Sequence, residues 1–194
     1  MMPDETDLAR AQEYTLLSTL LLRSPDPELL QRLQRLHGDD SPLGVAHRVL
    51  ADSAARIDAD SVSREYFALF IGLGRGELLP YASYYLSGFV HGRPLAKLRQ
   101  DLQRLGIERA DGHSEPEDHA GILLEIMAGL AGGVIPGPAG ADQSFFRDHL
   151  SPWIGAFFLD LERAGSAKFY AAVGRLGTTF LDIERQGFEL TQTA

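Results

Sequence analysis

Residues 114–130 read SEPEDHAGILLEIMAGL, an acidic cluster that runs directly into an apolar stretch. The large apolar side chains of this stretch recur every three to four positions: Ile122, Leu123, Ile126, Met127 and Leu130. That spacing is typical of a helix that packs on one side. The stretch therefore predicts a buried helix with an acidic N-terminus.

The residues at the start of this helix carry capping signals. Ser114 and Glu117 have the spacing of a capping box, and Pro116 suits the first turn, where its missing N–H costs nothing. His119 heads the apolar stripe and should face inward. Asp118 lies near the edge of the stripe, from which it could reach a neighbouring loop or a ligand.

The same helical period occurs along most of the chain. Further stripes begin at Leu16, Leu95, Trp153 and Phe169, and one consists of Tyr66, Phe67, Phe70 and Leu73. No run of alternating or β-branched residues predicts a strand. We therefore predict an all-α protein, a single globular bundle of roughly ten helices.

A break rich in glycine and proline at 72–80 predicts a hinge within this bundle. It would divide residues 1–194 into an N-terminal helical group, 1–73, a hinge, 74–83, and a C-terminal helical group, 84–194.

Composition limits the function. The chain of 194 residues has a net charge of −9, which disfavours nucleic acid and anionic lipid and favours a basic partner. It contains no cysteine, which excludes disulfides, iron–sulfur ligation and thiol catalysis. The acidic residues near Met1 have the wrong charge for a targeting peptide, and Glu125 and Pro136 interrupt the longest apolar stretch. We expect a cytoplasmic protein without stable membrane insertion.

The acidic cluster could also bind a metal ion. The candidate ligands for zinc or iron are His113, Glu115, Glu117, Asp118 and His119. On a helix, Glu115 and His119 would share a face while Asp118 would point about 100° away from His119, and no second helix supplies a matching pair. A helical metalloenzyme that uses His113, His119 and nearby carboxylates is thus the alternative to a binding protein. An acid-rich first turn that only favours the helix dipole, or a helical adaptor, remains open too.

An aromatic segment at 78–86 contains Leu79, Pro80, Ser83 and Tyr84. Its side chains could fill the core beneath a connecting loop. They could equally line a groove for a peptide, since tyrosine offers apolar area together with a polar tip.

Several motifs, taken in order, resemble the TorD/DmsD family of molybdoenzyme maturation chaperones. The motifs are Tyr66-x-x-Leu69-Phe70-x-Gly72, Leu79-Pro80-x-x-Ser83-x-Tyr85-Leu86, Glu115-Pro116-x-Asp118-His119, Phe146-x-x-His149-Leu150-x-Pro152-Trp153 and Phe169-Tyr170. The resemblance covers about residues 10–185. Tyr81 departs from it, since the family often has a second proline at that position.

The resemblance implies a non-catalytic helical chaperone. Such proteins bind the twin-arginine signal peptide and the immature body of a molybdenum-containing oxidoreductase, and assist cofactor insertion before export. They occur as monomers or domain-swapped dimers, and the resemblance implies no resident cofactor or metal. The residues that it assigns to peptide binding are Glu115, Pro116, Asp118, His119, Leu79, Pro80, Ser83 and Tyr84. Carboxylates at this position could accept charge-assisted hydrogen bonds from arginine.

Overall fold

The structure, a computed structural model, describes residues 3–108 and 115–192. Ten α-helices lie within these residues: α1 (Glu5–Leu22), α2 (Pro27–Leu33), α3 (Pro42–Ala54), α4 (Ala59–Tyr66), α5 (Ala82–Ser87), α6 (Arg93–Arg104), α7 (Ala120–Ala131), α8 (Ala141–Phe145), α9 (Ile154–Arg163) and α10 (Phe169–Gln192). Two short π-helical segments, Phe67–Ile71 and Phe146–Leu150, follow α4 and α8. The described part of the chain has no strand beyond one isolated bridge, so the all-α prediction is confirmed.

The helices form two compact units, each made of two separate stretches. The first unit contains Met1–Leu22 and Pro80–Ile154, and the second contains Arg23–Leu79 and Gly155–Ala194. This grouping differs from the predicted groups 1–73 and 84–194, because α1 packs on α7 and α10 packs on α3. The hinge at 74–83 stays a prediction.

The core of the first unit is built around the contact between α1 and α7. Leu17 and Leu20 of α1, and Leu123 and Met127 of α7, are fully buried, and each such side chain contributes about 1.5–3 kcal/mol on burial. The helices approach closely at Gly121, where an added Cβ would lie 2.6 Å from the Cγ of Leu22. Leu123, Ile126 and Met127 of the predicted stripe are therefore buried, whereas Ile122 and Leu130 are half-buried, and Leu124, outside the stripe, is fully buried.

The second unit holds the start of α10 through a buried carboxylate. Oε1 of Glu65 accepts hydrogen bonds from the backbone N–H groups of Lys168 and Tyr170 at 2.8 and 2.7 Å, and Oε2 accepts one from Phe169 at 3.2 Å. These N–H groups belong to a helix N-terminus and have no partner within the helix. A negative charge there also favours the helix dipole. The sequence analysis did not identify this role of Glu65.

The stripe predicted from Tyr66 to Leu73 is wrong in part. The helix widens after Tyr66 into a π-helical turn, in which the N–H of Gly72 donates to the carbonyl of Phe67 at 2.7 Å. The extra residue per turn rotates the following side chains out of the α-helical register. Phe67, the first residue of this turn, is 42% exposed, and Leu73, which lies beyond its end, is 98% exposed. Gly72 then ends the segment with a φ of 62°, a conformation that favours glycine.

Candidate peptide-binding site

The segment before α7 is a turn and not the first turn of the helix. α7 begins at Ala120, and its N-cap is His119, whose Nδ1 accepts from the N–H of Gly121 at 3.1 Å. The N–H of His119 itself donates to the carbonyl of Pro116 at 3.1 Å. The prediction that Pro116 and Glu117 lie inside the helix is therefore wrong. Ser114, the predicted cap, lies outside the described residues.

Hydrogen bonds join this turn to the segment that begins at Pro80. The carbonyl of Pro80 accepts from the N–H of Ala120 at 2.7 Å, and the carbonyl of Asp118 accepts from the N–H of Ala82 at 3.0 Å. The Asp118 side chain adds a third bond, since its Oδ2 accepts from the N–H of Ser83 at 2.8 Å. The structure thus brings together the two sequence motifs that were predicted to form one site.

Asp118 and Ser83 are both fully buried. Ser83 also accepts a hydrogen bond on its Oγ from the N–H of His91 at 2.9 Å, so it links the turn before α7 to the segment before α6. The second carboxylate oxygen of Asp118, Oδ1, is buried and has no hydrogen-bond partner in the described part of the chain. Asp118 does reach a neighbouring segment, as predicted, but it does not form an exposed acidic surface.

His119 is buried, as predicted, and is 5% exposed. Burial lowers the pKa of its imidazole to about 4, although the charges of Glu115 and Asp118 oppose the shift. The ring is therefore neutral at pH 7. Because Nδ1 accepts from Gly121, the proton must lie on Nε2. The rings of His119 and Tyr81 pack at a steep angle, with 5.4 Å between their centroids.

The other two carboxylates of the turn have partners within the chain. The Oη of Tyr81 donates to Oε2 of Glu115 at 2.6 Å. Glu117 accepts from the guanidinium of Arg99, from Nε at 3.1 Å to both of its oxygens and from Nη2 at 2.8 Å. The hydrogen bond with Glu117 raises the pKa of Arg99. Glu115 is exposed, Glu117 is half-buried and Asp118 is buried.

The remaining residues of the predicted site differ in burial and in the part of the fold to which they belong. Pro80 is buried, and Leu79 is a half-buried residue of the second unit. Tyr84 is half-buried and lies on α5, where a connecting loop was predicted. Its ring meets that of Tyr85 edge-on at 5.8 Å, and Tyr85 contacts Trp153 at 5.5 Å.

A cavity of about 340 Å³ lies beside Asp118 in the first unit. Its apolar walls include Ala82, Leu86, Pro94, Leu98 and Leu123, and its charged lining residues are Arg93, Lys97, Asp118 and Asp148. His149 also lines it and is bound to Oδ2 of Asp101 through Nε2 at 3.0 Å. The sequence analysis did not assign Arg93 or Lys97 to a site, although the strong amphipathic pattern of α6 places both on its polar face.

The second unit contains a larger cavity of about 760 Å³, formed by residues of α3, α4, α9 and α10 and the segments between them. Its basic lining residues are Arg56, Lys168 and Arg175. None of the residues that the sequence analysis assigned to peptide binding lines it. The predicted site and this cavity are therefore separate features of the chain.

The metalloenzyme alternative gains no support from the described residues. They contain no group of three or more His, Cys, Asp or Glu side chains arranged to hold a metal ion. Nδ1 of His119 is engaged by Gly121, and His113 lies outside the described residues. Within the same ranges, no helix combines the length and the apolar character needed to cross a membrane.

The family of this chain is established by sequence. The model of the nitrate reductase delta subunit family matches residues 36–159, which is well over half of the chain. The chain belongs to this family. This finding, with the relatives described next, confirms the resemblance to the TorD/DmsD class of molybdoenzyme maturation chaperones.

Similar proteins agree with that class. The chaperone protein TorD of Vibrio cholerae serotype O1 is 25% identical over 198 residues, covering 91% of this chain and 90% of the relative. The TorD chaperone of Shewanella loihica is 27% identical over 199 residues, with 91% of each chain covered. These relatives are named as chaperones and not as enzymes, in agreement with the predicted non-catalytic role.

A solved structure has the same fold. It is the crystal structure of a protein from Archaeoglobus fulgidus that is assigned as a redox enzyme maturation protein. The two structures align with a TM-score of 0.60, at 22% identity, over 89% of this chain and 93% of the other. This similarity supports the helical architecture.

Proposed function

We propose that this protein is a cytoplasmic chaperone that binds the twin-arginine signal peptide and the immature body of a molybdenum-containing oxidoreductase, and assists cofactor insertion before export. Its family and its relatives named chaperone protein TorD support this role. The observation that carries the site is that Asp118, in the Glu115-Pro116-x-Asp118-His119 motif, accepts hydrogen bonds from Ala82 and Ser83, in the segment that begins at Pro80.

In the proposed complex, Glu115 accepts a guanidinium group of the peptide. It is exposed, and its Oε2 accepts the hydrogen bond from Tyr81. Charge-assisted hydrogen bonds of this kind are about twice as strong as neutral ones. The chain already contains one such pair, since Glu117 holds Arg99 by three hydrogen bonds. The turn thus presents carboxylates in an orientation suited to guanidinium groups.

His119 and Tyr81 supply the neutral part of the proposed site. Nε2 of His119 carries a proton at pH 7, so it can donate to a backbone carbonyl of the peptide without adding a positive charge that would repel arginine. Tyr81 and Tyr84 are half-buried and offer ring surface for apolar side chains. Asp118, Ser83 and Pro80 act as positioning residues, because they are buried and hold the turn in place.

The test is a titration of the protein with a labelled twin-arginine peptide. We expect Glu115→Gln to weaken binding about tenfold, which corresponds to about 1.4 kcal/mol, and we expect added salt to weaken the parent complex. Glu28→Gln is the matched control, because Glu28 is exposed on α2 in the second unit. If Glu115→Gln binds as tightly as the parent, the site assignment is wrong. A peptide with both arginines changed to lysine tests the requirement for the guanidinium fork.

A further inference from the structure

The segment between α5 and α6, residues 88–92, adjoins the cavity that Asp118 lines. Leu86 and Pro94, which lie on either side of this segment in the sequence, both line the cavity. The segment therefore joins two residues of the cavity wall, and all of them belong to the first unit. Phe89 is three residues from Leu86, so their Cα atoms lie at most about 11 Å apart. This short connection keeps the ring of Phe89 near the cavity.

The backbone of this segment has a glycine at each end that can serve as a hinge. Gly88 has a φ of 79° and Gly92 has a φ of 105°, values that glycine adopts readily and other residues rarely. A Cβ added at either glycine would meet no atom within 4 Å, so neighbouring groups do not restrict the backbone there. Rotation at these two positions would move the residues between them together.

One residue between the hinges has a strained backbone. His91 has a φ of 72° and is the one non-glycine residue with a positive φ in the described ranges, a conformation that is unfavourable for a residue with a Cβ. Its N–H donates to Oγ of Ser83 at 2.9 Å. The carbonyl of Phe89 accepts a longer bond, of 3.3 Å, from Oγ of Ser87. Strain of this kind favours a change of conformation once a partner stabilises another one.

Phe89 exposes apolar area that the cavity can bury. Its side chain is 76% exposed, whereas Leu86, Leu98 and Leu123 give the cavity an apolar wall. Removal of an aromatic ring from water is favourable. The cavity of about 340 Å³ is larger than the volume of about 150 Å³ in which an engineered protein cavity binds benzene. It can therefore hold a second apolar side chain together with the ring.

We propose that residues 88–92 form a lid, which turns Phe89 over the cavity once an apolar side chain of the twin-arginine signal peptide, the leader, has entered it. The structure, with Phe89 exposed, is the open state. In the closed state the ring covers the bound side chain, so both are removed from water. This inference rests on the proposed function, because the leader is the ligand, and it adds a conformational step that slows the release of the leader.

Ser83 connects the lid to the proposed peptide site. Its N–H donates to Oδ2 of Asp118 at 2.8 Å, and its Oγ accepts from the N–H of His91 at 2.9 Å. The same residue therefore holds both the turn that carries Glu115 and the open conformation of the lid. Oδ1 of Asp118 is buried, and within the described ranges no group donates to it. A backbone N–H of the leader or of the closed lid can supply that donor.

The first experiment measures the release of a labelled twin-arginine peptide from the full chain by stopped-flow anisotropy. We expect Phe89→Ala to release the peptide about tenfold faster and to bind it at a rate within about twofold of the parent, because a lid that closes after binding acts on dissociation. Val134→Ala is the matched control, since Val134 is 82% exposed in the same unit, and it should release the peptide as the parent does. An unchanged dissociation rate in Phe89→Ala would overturn the lid.

The second experiment separates movement of the lid from a static contact made by Phe89. Asparagine tolerates the left-handed φ of Gly88 but has fewer accessible conformations than glycine, so Gly88→Asn keeps the open state and hinders closure. We expect it to release the peptide about fivefold faster although Phe89 is intact. Gly106→Asn is the control, because Gly106, just after α6, has a φ of 68° and equally open surroundings. Release at the parent rate by Gly88→Asn would show that the segment does not move, which overturns the lid.

A thiol introduced at the lid reports closure directly. The chain contains no cysteine, so Phe89→Cys carries a single thiol. Its reaction with a maleimide should become about fivefold slower at saturating peptide, because thiol reactivity depends on exposure. Val134→Cys should react at the same rate with and without the peptide. Equal rates in Phe89→Cys with and without the peptide would contradict closure.

These results distinguish the lid from the proposed function. Absence of leader binding by the parent would overturn both. Normal binding by the parent, with unchanged release in Phe89→Ala and Gly88→Asn, would overturn the lid and leave the proposed function intact. Thermal unfolding of each variant checks that the fold is retained, as expected for exposed positions.

Discussion

The carboxylate of Asp118 accepts a 2.8 Å hydrogen bond from the backbone N–H of Ser83, a residue 35 positions earlier in the chain. Both residues are fully buried. The bond fixes the turn before α7 against the start of α5 and so determines where Glu115, Tyr81 and His119 lie. The carboxylates of the acidic motif therefore have different roles. That of Asp118 positions the turn, and that of Glu115 remains exposed.

Removing that acceptor should destabilise the first unit. Asp118→Ala leaves the buried N–H of Ser83 without a partner, at a cost of about 1–3 kcal/mol. Asp118→Asn should cost less, because an amide oxygen can accept the same bond. Urea unfolding can be followed by the fluorescence of Trp153, the single tryptophan, which lies in the first unit. Equal destabilisation by alanine and asparagine would show that the negative charge matters and not the hydrogen bond.

Glu65 should stabilise the second unit, as Asp118 should stabilise the first. Glu65→Ala leaves the buried N–H groups of Phe169 and Tyr170 without an acceptor and should lower the free energy of unfolding by about 2–4 kcal/mol. Glu65→Gln keeps one acceptor oxygen, so its free energy of unfolding should lie between those of the parent and of Glu65→Ala. Glu28→Ala, at an exposed position of α2, should change stability by less than about 0.5 kcal/mol. Urea titration monitored by far-UV circular dichroism measures all three, and a Glu65→Ala value as small as that of Glu28→Ala would contradict the capping role.

Stability should fall in mild acid because of His119. Its pKa is lowered to about 4 in the folded protein, against about 6.5 in an unfolded chain. Above pH 6.5 the imidazole is neutral in both states. Between pH 6.5 and 4 the unfolded state binds a proton that the folded state resists, so the free energy of unfolding declines and then levels off below pH 4. The total loss is about 2–4 kcal/mol.

His119→Gln isolates this effect, since its side-chain oxygen can replace Nδ1 as the acceptor for Gly121. The variant should lose stability less steeply than the parent over this pH range. Burial also lowers the pKa of His149, so part of the slope should remain in the variant. Identical slopes in the two proteins, measured by urea unfolding at a series of pH values, would rule out His119 as a source of the decline.

The pair formed by Arg99 and Glu117 should compete with the leader. Arg99→Gln releases Glu117, which can then accept a guanidinium of the peptide, so we expect tighter binding of the twin-arginine peptide. The effect on stability should be small, below about 1 kcal/mol, because the side chain of Arg99 is half-exposed. Arg185→Gln, which removes a similar exposed pair with Asp182 on α10, is the control. Weaker binding by Arg99→Gln would mean that Arg99 supports the turn instead of occupying its acidic group.

The spacing of apolar residues predicted the buried faces of helices correctly where that face is set by residues of the same helix. The stripe Leu95, Leu98 and Leu102 is buried on α6, and Trp153, Phe157 and Leu161 are buried in and just before α9. The prediction failed at Leu73, because the helical segment ends at Ile71, Gly72 takes up a left-handed conformation, and Leu73 lies beyond it. It also failed at Glu117, which lies in a turn before α7 and not in the first turn of the helix, and whose carboxylate is bound by Arg99.

The sequence by itself determined the helical class, the family and the residues from which a peptide site would be drawn, because apolar periodicity and motif order are properties of the chain read in one direction. Only the tertiary structure decided which acidic residue is buried, that His119 caps α7, and which cations line the cavity beside Asp118. Those outcomes depend on residues that are distant in sequence and meet only after packing, as Asp118 meets Ser83 and Asp148 meets Lys97. Such long-range contacts determine which side chains are buried and which charges are paired.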